Sequence, residues 1–336
     1  MKITKLNNAV EVSDIDLHND DECIELGKLV AQECVVFVND SVSEDRLYDI
    51  HSNWGDMSSP PVLKYAMQNK PEDEHWSFVH KMNKNITDKM NSSRSGIARI
   101  SFEKTDDGEP TGAFPNGKLG WHCDQQALYE TQRVIGLMSL YGSENSQTSF
   151  LCTAEMYDKL NKEDKTMIDE LVCVSAWDGE MARGLDTKQL EVLRYHMVPM
   201  DGIEQPLKQE TATGVNGIKY PSHSFSHFKG MSKEDSLKYR DHLWSLLNKP
   251  EYIYTHDWKD GQIMFMDQNI TLHARPTNIE DGDNRTMLRC ISHVNKLFKN
   301  QDPLGYVTID GRKISHNEFA EMANEQRLRD FDRERL

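Results

Sequence analysis

The period of the apolar positions changes repeatedly along the chain, and each change marks an element. Val10-Glu11-Val12-Ser13-Asp14-Ile15-Asp16-Leu17 is an apolar-rich run that reads as a strand. Asn19 and Glu22 then have the spacing of a capping box, and Cys23, Leu26 and Val30 recur behind them at helical intervals. Val35-Val36-Phe37-Val38 is unbroken β-branched and aromatic sequence, which predicts a buried strand closed by Asn39-Asp40. Ser43 can cap a helix that carries Leu47, Ile50 and Trp54 on roughly one side. From Pro60 to Ser95 the chain is polar, proline-bearing and weakly periodic, so loops and short helices are expected there.

Ile97-Ala98-Arg99-Ile100-Ser101-Phe102 reads as a strand, followed by the turn residues of Asp106 to Gly112 and by a strand that begins near Leu119. Met156, Leu160, Met167, Ile168 and Leu171 predict helix between residues 153 and 172, broken near Asn161, before Cys173-Val174-Ser175-Ala176-Trp177 returns to β. Ser232 caps a further helix bearing Leu237, Leu243, Trp244 and Leu247, which Lys249-Pro250 stops. Three more strands are expected over residues 252–256, 262–266 and 286–294. There is no βαβ alternation and no repeat. The pattern is therefore mainly β with inserted helices, a barrel or sandwich rather than a doubly wound sheet.

Length leaves one large domain or two small ones open, and a composition of 37 % hydrophobic residues excludes disorder. With 39 basic and 55 acidic residues the formal charge is −16, which disfavours nucleic acid and anionic membrane surfaces as partners. No apolar run approaches the ~18 residues of a membrane span, and the first residues lack the apolar centre of a signal peptide, so a cytoplasmic location is expected. The six cysteines include no Cys-x-x-Cys and read as buried, reduced thiols.

Chemistry enters with Gly120-Trp121-His122-Cys123-Asp124. At a strand end, His122 and Asp124 point to the same face and can converge on one cation. By itself the spacing is weak, since His18-Asn19-Asp20 shows it too. His273, 151 residues further on, follows a β-run and a tight turn, and would complete a two-histidine, one-carboxylate set. Such a set leaves three open positions on one face of an octahedral metal, as non-haem iron(II) oxygenases require. Arg285 lies 12 residues beyond His273 and can supply the planar fork that holds the far carboxylate of a dicarboxylic co-substrate. Arg289, four residues later, falls on the same strand face.

With these residues the chain resembles the taurine dioxygenase (TauD/TfdA-like) family of iron(II)- and 2-oxoglutarate-dependent oxygenases, from about residue 8 to residue 297. The likeness rests on Glu11 to Leu17, Val35 to Val38, Leu119 to Asp124, His273-Ala274-Arg275-Pro276 and Arg285-Thr286-Met287-Leu288-Arg289. It implies a double-stranded β-helix, the cupin-like jelly roll. It also implies Fe(II) held by His122, Asp124 and His273, 2-oxoglutarate held by Thr148 and Arg285, and O₂ as oxidant. Two departures stand out: Asn145-Ser146-Gln147 precedes Thr148 where the family often has Gly-Gly-Asp, and Gln262 ends Trp258-Lys259-Asp260-Gly261-Gln262 where the family has Asp. Asp124 is the carboxylate that halogenating relatives lack, so hydroxylation is the implied outcome.

In sulfonate-oxidising members the residue matching Arg289 binds the substrate's anionic head, and Lys118 stands where a family asparagine approaches substrate. Both favour a small anionic or zwitterionic substrate. Residues 60–95 and 178–230 would supply lids, with Trp76, His80, Trp177, His196, Tyr220, His223, Phe225 and His227 as the candidate residues. The expected domains are 1–298 for the oxygenase and 299–336 for an appendage: a hairpin over Tyr306 to Ile314, then a helix capped by Ser315. The appendage's apolar residues favour a second subunit as their partner, making a homo-oligomer. Two readings stay open beside the oxygenase, namely a zinc-type metallohydrolase using the same trio and a catalytically silent jelly-roll binding protein.

Overall fold

The computed structural model describes residues 1–57, 97–104, 118–124, 133–144, 146–175, 203–222, 225–276 and 285–298, and the backbone of 306–309 and 312–315. In chain order its strands are β1 (Lys2–Lys5), β2 (Val10–Ser13), β3 (Val35–Val38), β4 (Ile97–Ser101), β5 (Leu119–His122), β6 (Arg133–Tyr141), β7 (Gln147–Cys152), β8 (Val172–Ser175) and β9 (Ile203–Pro206). They continue as β10 (Lys208–Glu210), β11 (Asn216–Ile218), β12 (Phe225–Phe228), β13 (Ile253–Asp257), β14 (Ile263–Asp267), β15 (Thr271–Arg275), β16 (Thr286–His293), β17 (Tyr306–Ile309) and β18 (Arg312–Ser315). The helices are α1 (Asp20–Glu33), α2 (Glu44–Trp54), α3 (Ala154–Lys159), α4 (Lys162–Glu170) and α5 (Lys233–Leu247).

A seven-stranded sheet in the order β1-β2-β3-β14-β6-β16-β4 faces a four-stranded sheet, β13-β7-β15-β5. Side-chain alternation shows how they stack. On β14, Met264 and Met266 join Phe37 of β3 and Phe150 of β7 in the core between the sheets. Ile263 and Phe265, the alternate positions, pack instead with Leu26, Val30, Leu47 and Trp54 of α1 and α2. On the far side, Leu151 of β7 and Leu272 of β15 join Leu243 and Leu247 of α5 and Phe228 of β12. With both faces of each sheet covered, the central strands are apolar runs rather than alternating ones. This arrangement is the double-stranded β-helix with inserted helices that the resemblance implied.

The local signals behaved as their physics requires. Asn19 accepts from the backbone N–H groups of Asp21 and Glu22 at the start of α1, and Ser43 and Ser232 cap α2 and α5. The helix between 153 and 172 is two helices, because Asn161 caps α4 through the N–H of Asp164. Two strands differ from expectation. β1 is a fully exposed edge strand with no apolar period to announce it, while β6, at the heart of the large sheet, is nearly all buried and carries no alternation. The expected loops of 60–95 and the helix after Ser315 lie outside the described residues. β17 and β18 pair as the expected hairpin.

α2 is fastened to the large sheet by a buried histidine. His51 Nδ1 lies 2.8 Å from Ser292 Oγ on β16, and a Cβ at Gly136 would stand 2.2 Å from His51 Nε2, so the sheet admits this ring only where β6 has glycine. Burial pushes the His51 pKa down to about 3. The unfolded chain therefore binds a proton near pH 6.5 that the folded one refuses, so this contribution to stability is complete above that pH and is lost as pH falls towards 3. Chemical denaturation should show the unfolding free energy dropping by about 3 kcal/mol from this group between roughly pH 7 and pH 4.5. His51→Gln should lose that share of the pH dependence.

Candidate metal centre and anion cavity

The two sheets bring the separated motifs together at one end of the barrel. β5 and β15 are antiparallel neighbours in which His122 is paired directly with His273, so 151 residues of sequence collapse to one cross-strand step. The imidazole centroids are 4.2 Å apart. Asp124, just beyond β5, places Oδ1 at 3.4 Å from His122 Nε2 and 3.9 Å from His273 Nε2. One ligand atom from each of the three lies within 4.8 Å of the others, among the described residues the one such group of metal-binding type. Two imidazole nitrogens and one carboxylate oxygen, gathered at a cavity mouth rather than in a closed tetrahedron, suit a metal that must also take exogenous ligands.

Arg289 of β16 donates from Nη1 to Asp124 Oδ2 at 2.6 Å. Burial opposes the charge of this carboxylate. Arg289, a hydrogen bond from His122 and the two imidazoles outweigh that cost and hold the Asp124 pKa well below the usual carboxylate range. Asp124 is thus held anionic, with one oxygen fixed by Arg289 and the other turned to the histidines. His122 Nδ1 lies 2.6 Å from Gly120 O, a contact that orients the ring so that Nε2 faces the carboxylate.

Behind the trio the cavity continues between the sheets, enclosing about 590 Å³ when its open mouth is counted. Thr148, Arg275, Arg285 and Arg289 line it together with Ile100, Leu137 and other apolar residues. The large sheet aims its contributions by period two: Met287 and Ile291 belong to the core between the sheets, so Arg285 and Arg289 share their face. Thr148 accepts a hydrogen bond from Trp258 Nε1 at 2.8 Å. That contact occupies a lone pair and leaves the hydroxyl proton for an acceptor in the cavity. The altered loop before Thr148 therefore still delivers its hydroxyl to this space. Gln262, the other departure, ties the turn instead: its Nε2 donates to Asn39 Oδ1 at 2.5 Å, and its Oε1 accepts from the Lys259 backbone at 2.9 Å.

Lys118 is exposed and is not among the cavity's lining residues, so its placement gives no support to substrate contact. Arg289 does line the cavity, but with one nitrogen committed to Asp124. Of the lid candidates, Tyr220 and Phe225 are packed into the core around α5 rather than against the cavity, and His227 sits on β12. Trp76, His80, Trp177, His196 and His223 lie outside the described residues. One charged residue of the cavity was given no role by the sequence. Arg275 stands two positions after His273 on β15, and the strand period that pairs His122 with Asp124 would have pointed to it.

A family model described as "Taurine catabolism dioxygenase TauD, TfdA family" matches residues 2–291. Pentalenolactone F synthase from Streptomyces arenae is 21 % identical over 201 residues, covering 56 % of this chain and 66 % of that protein, just under two thirds of its length. Among solved structures, AAD-2 in complex with Mn(II) and N-oxalylglycine superposes with a TM-score of 0.63 at 17 % identity, over 87 % of this chain and 96 % of that one. A taurine dioxygenase from Burkholderia xenovorans gives 0.61 at 17 % identity, over 96 % and 98 %.

Proposed function

The chain belongs to the taurine catabolism dioxygenase TauD/TfdA family and is an iron(II)- and 2-oxoglutarate-dependent dioxygenase; from that premise we propose that it hydroxylates a small organic substrate, releasing succinate and CO₂, at a metal site formed by His122, Asp124 and His273. The observation that carries the assignment of residues is the convergence of these three ligand atoms within 4.8 Å from two strands far apart in sequence. The donor set fits a divalent iron, and the cationic cavity beside it fits a dianionic co-substrate. Iron bound there supplies the activation of O₂, coupled to oxidative decarboxylation of 2-oxoglutarate.

This chain's own residues do the rest. Arg289 keeps Asp124 anionic and turned toward the histidines. Arg285 and the Thr148 hydroxyl, set by Trp258, hold the distal carboxylate of 2-oxoglutarate, while Ile100, Ile135, Leu137 and Met264 keep that end of the cavity dry. The substrate class is a small anionic or zwitterionic molecule. Arg289 supports it with a buried Nε that has no hydrogen-bond partner among the described residues, and the taurine named for the family points the same way. A zinc-type hydrolase would have no use for Arg285 and Thr148.

Anaerobic addition of Fe(II) and then 2-oxoglutarate tests the reading. A weak visible charge-transfer band is expected, and it should disappear in His122→Ala and His273→Ala. A protein that stays colourless with both ligands added would overturn the assignment. Residues 299–336 are proposed as an appendage to the oxygenase domain that joins two subunits. Truncation after Asn300 should lower the mass seen by light scattering, and an unchanged mass removes the subunit contact.

A further inference from the structure

All six cysteines are free and buried, and two of them meet at one turn. Cys34 and Cys152 stand 118 residues apart in the chain and belong to opposite sheets of the barrel. The turn over residues 268–270 carries β14 of the large sheet into β15 of the small one and brings the two together. At its start, β14 pairs Met266 with Val35, and the Asp267 backbone N–H donates to Cys34 O at 2.8 Å. At its end, β15 pairs Thr271 with Cys152, and Ile270 O accepts from the Thr153 backbone N–H at 2.8 Å. Both cysteine side chains pack with Met266, Ile270 and Phe150 in the core between the sheets, and the Cys34 thiol donates a hydrogen bond to the Cys152 sulfur. The backbone adds a second observation. Cys34 is the C-cap of α1 and stands at φ +66°, a region that strains any side chain and that helix ends ordinarily leave to glycine. A thiol is thus held against its backbone preference, and what it meets there is another thiol.

We propose that Cys34 and Cys152 are a redox pair that hydrogen peroxide converts to a reversible disulfide, tying the large sheet to the small one. The two sulfurs are unequal. The hydrogen bond from Cys34, helped by the Ala154 backbone N–H, holds the Cys152 pKa below the ordinary thiol value against the effect of burial, while the same bond and burial raise that of Cys34. Cys152 is also the most exposed of the six cysteines, at 9 % against 2 % for Cys34. It is therefore the sulfur that reacts first. The Cys152 thiolate attacks one peroxide oxygen, the O–O bond breaks, and the departing hydroxide takes up the proton that Cys152 released, leaving a sulfenic acid and one water. Cys34 then gives up its proton and attacks that sulfur; the S–S bond forms, the S–O bond breaks, and the hydroxide leaves with the proton as a second water. Two thiols and one peroxide thus give one disulfide and two waters. Cys123 and Cys173 provide an internal control, since they share the cluster beneath α5 and burial pushes both of their pKa values up.

The experiment treats the full, reduced chain, loaded with Mn(II) so that iron does not consume the oxidant, with a small excess of hydrogen peroxide. Alkylation under denaturing conditions, intact mass and peptide mapping follow. Two of the six thiols should be lost, the protein should be lighter by two hydrogens, and the linked peptides should contain Cys34 and Cys152. Dithiothreitol should restore all six thiols. Because the bond closes a long loop, the oxidised form should melt at least about 5 °C higher than the reduced one. Cys34→Gly suits the backbone at that position, so it should fold and form no disulfide, leaving Cys152 as a sulfenic acid that dimedone captures. Cys152→Ser should form no disulfide either. Six surviving thiols, a bridge mapped to Cys123 and Cys173 or to any other pair, or Cys152 oxidised in wild type without joining Cys34 would each overturn the proposal.

Discussion

Asp124→Ala should reduce 2-oxoglutarate consumption to background and remove tight binding of Mn(II) or Fe(II). Two effects combine. The substitution takes away the one anionic donor of the set, leaving two neutral imidazoles to hold a dication. It also strips Arg289 of the carboxylate that it contacts at 2.6 Å, and a guanidinium left unpaired at a site this enclosed destabilises the fold by about 3 kcal/mol. Calorimetry with Mn(II) reads the first effect and denaturant unfolding the second. Asp124→Asn separates them, since an amide keeps the shape and an acceptor for Arg289 but lacks the charge. It should recover part of the stability and none of the turnover. Metal affinity in Asp124→Ala equal to that of wild type would remove Asp124 from the ligand set.

Arg285→Ala should weaken 2-oxoglutarate by about 2–5 kcal/mol, the cost of deleting one partner of a buried charge pair, which corresponds to at least roughly thirtyfold in affinity. The same change should leave the ligand-free protein as stable as wild type or slightly more so. Burial and Arg275 already push the Arg285 pKa down to about 9, so in the absence of an anion the fold gains by losing this charge. Opposite signs for affinity and stability are the signature of a binding residue. An Arg285→Ala protein with lowered stability and unaltered affinity for 2-oxoglutarate would show that the arginine is structural.

The residues with side-chain chemistry at fixed local offsets were legible in the sequence. Asn19, Ser43, Asn161 and Ser232 cap helices because a short polar side chain before an apolar period has one favourable use there. His122 and Asp124 share a face because strands have period two, and Arg285 and Arg289 share one for the same reason. β3 announced itself because a strand covered on both faces can be apolar throughout. The long-range resemblance then joined the motifs into one site and supplied the jelly roll, which no local period distinguishes from another β sandwich.

Only the tertiary structure decided which face meets what. Nothing local shows that β6 runs between β14 and β16, since its burial comes from neighbours more than 100 residues away in sequence. The pairing of His122 with His273, the hydrogen bond from Trp258 to Thr148 and the meeting of Arg275 with Arg285 across Phe102 are likewise products of register between distant strands. Arg289 shows the difference most clearly. As sequence it is a cation on the correct face, free to meet a substrate; in the fold it is the partner of Asp124. A side chain's type and local period are fixed by its neighbours in the chain, whereas its charge partners and its exposure to water are set by strand pairing, and that is a property of the whole sheet.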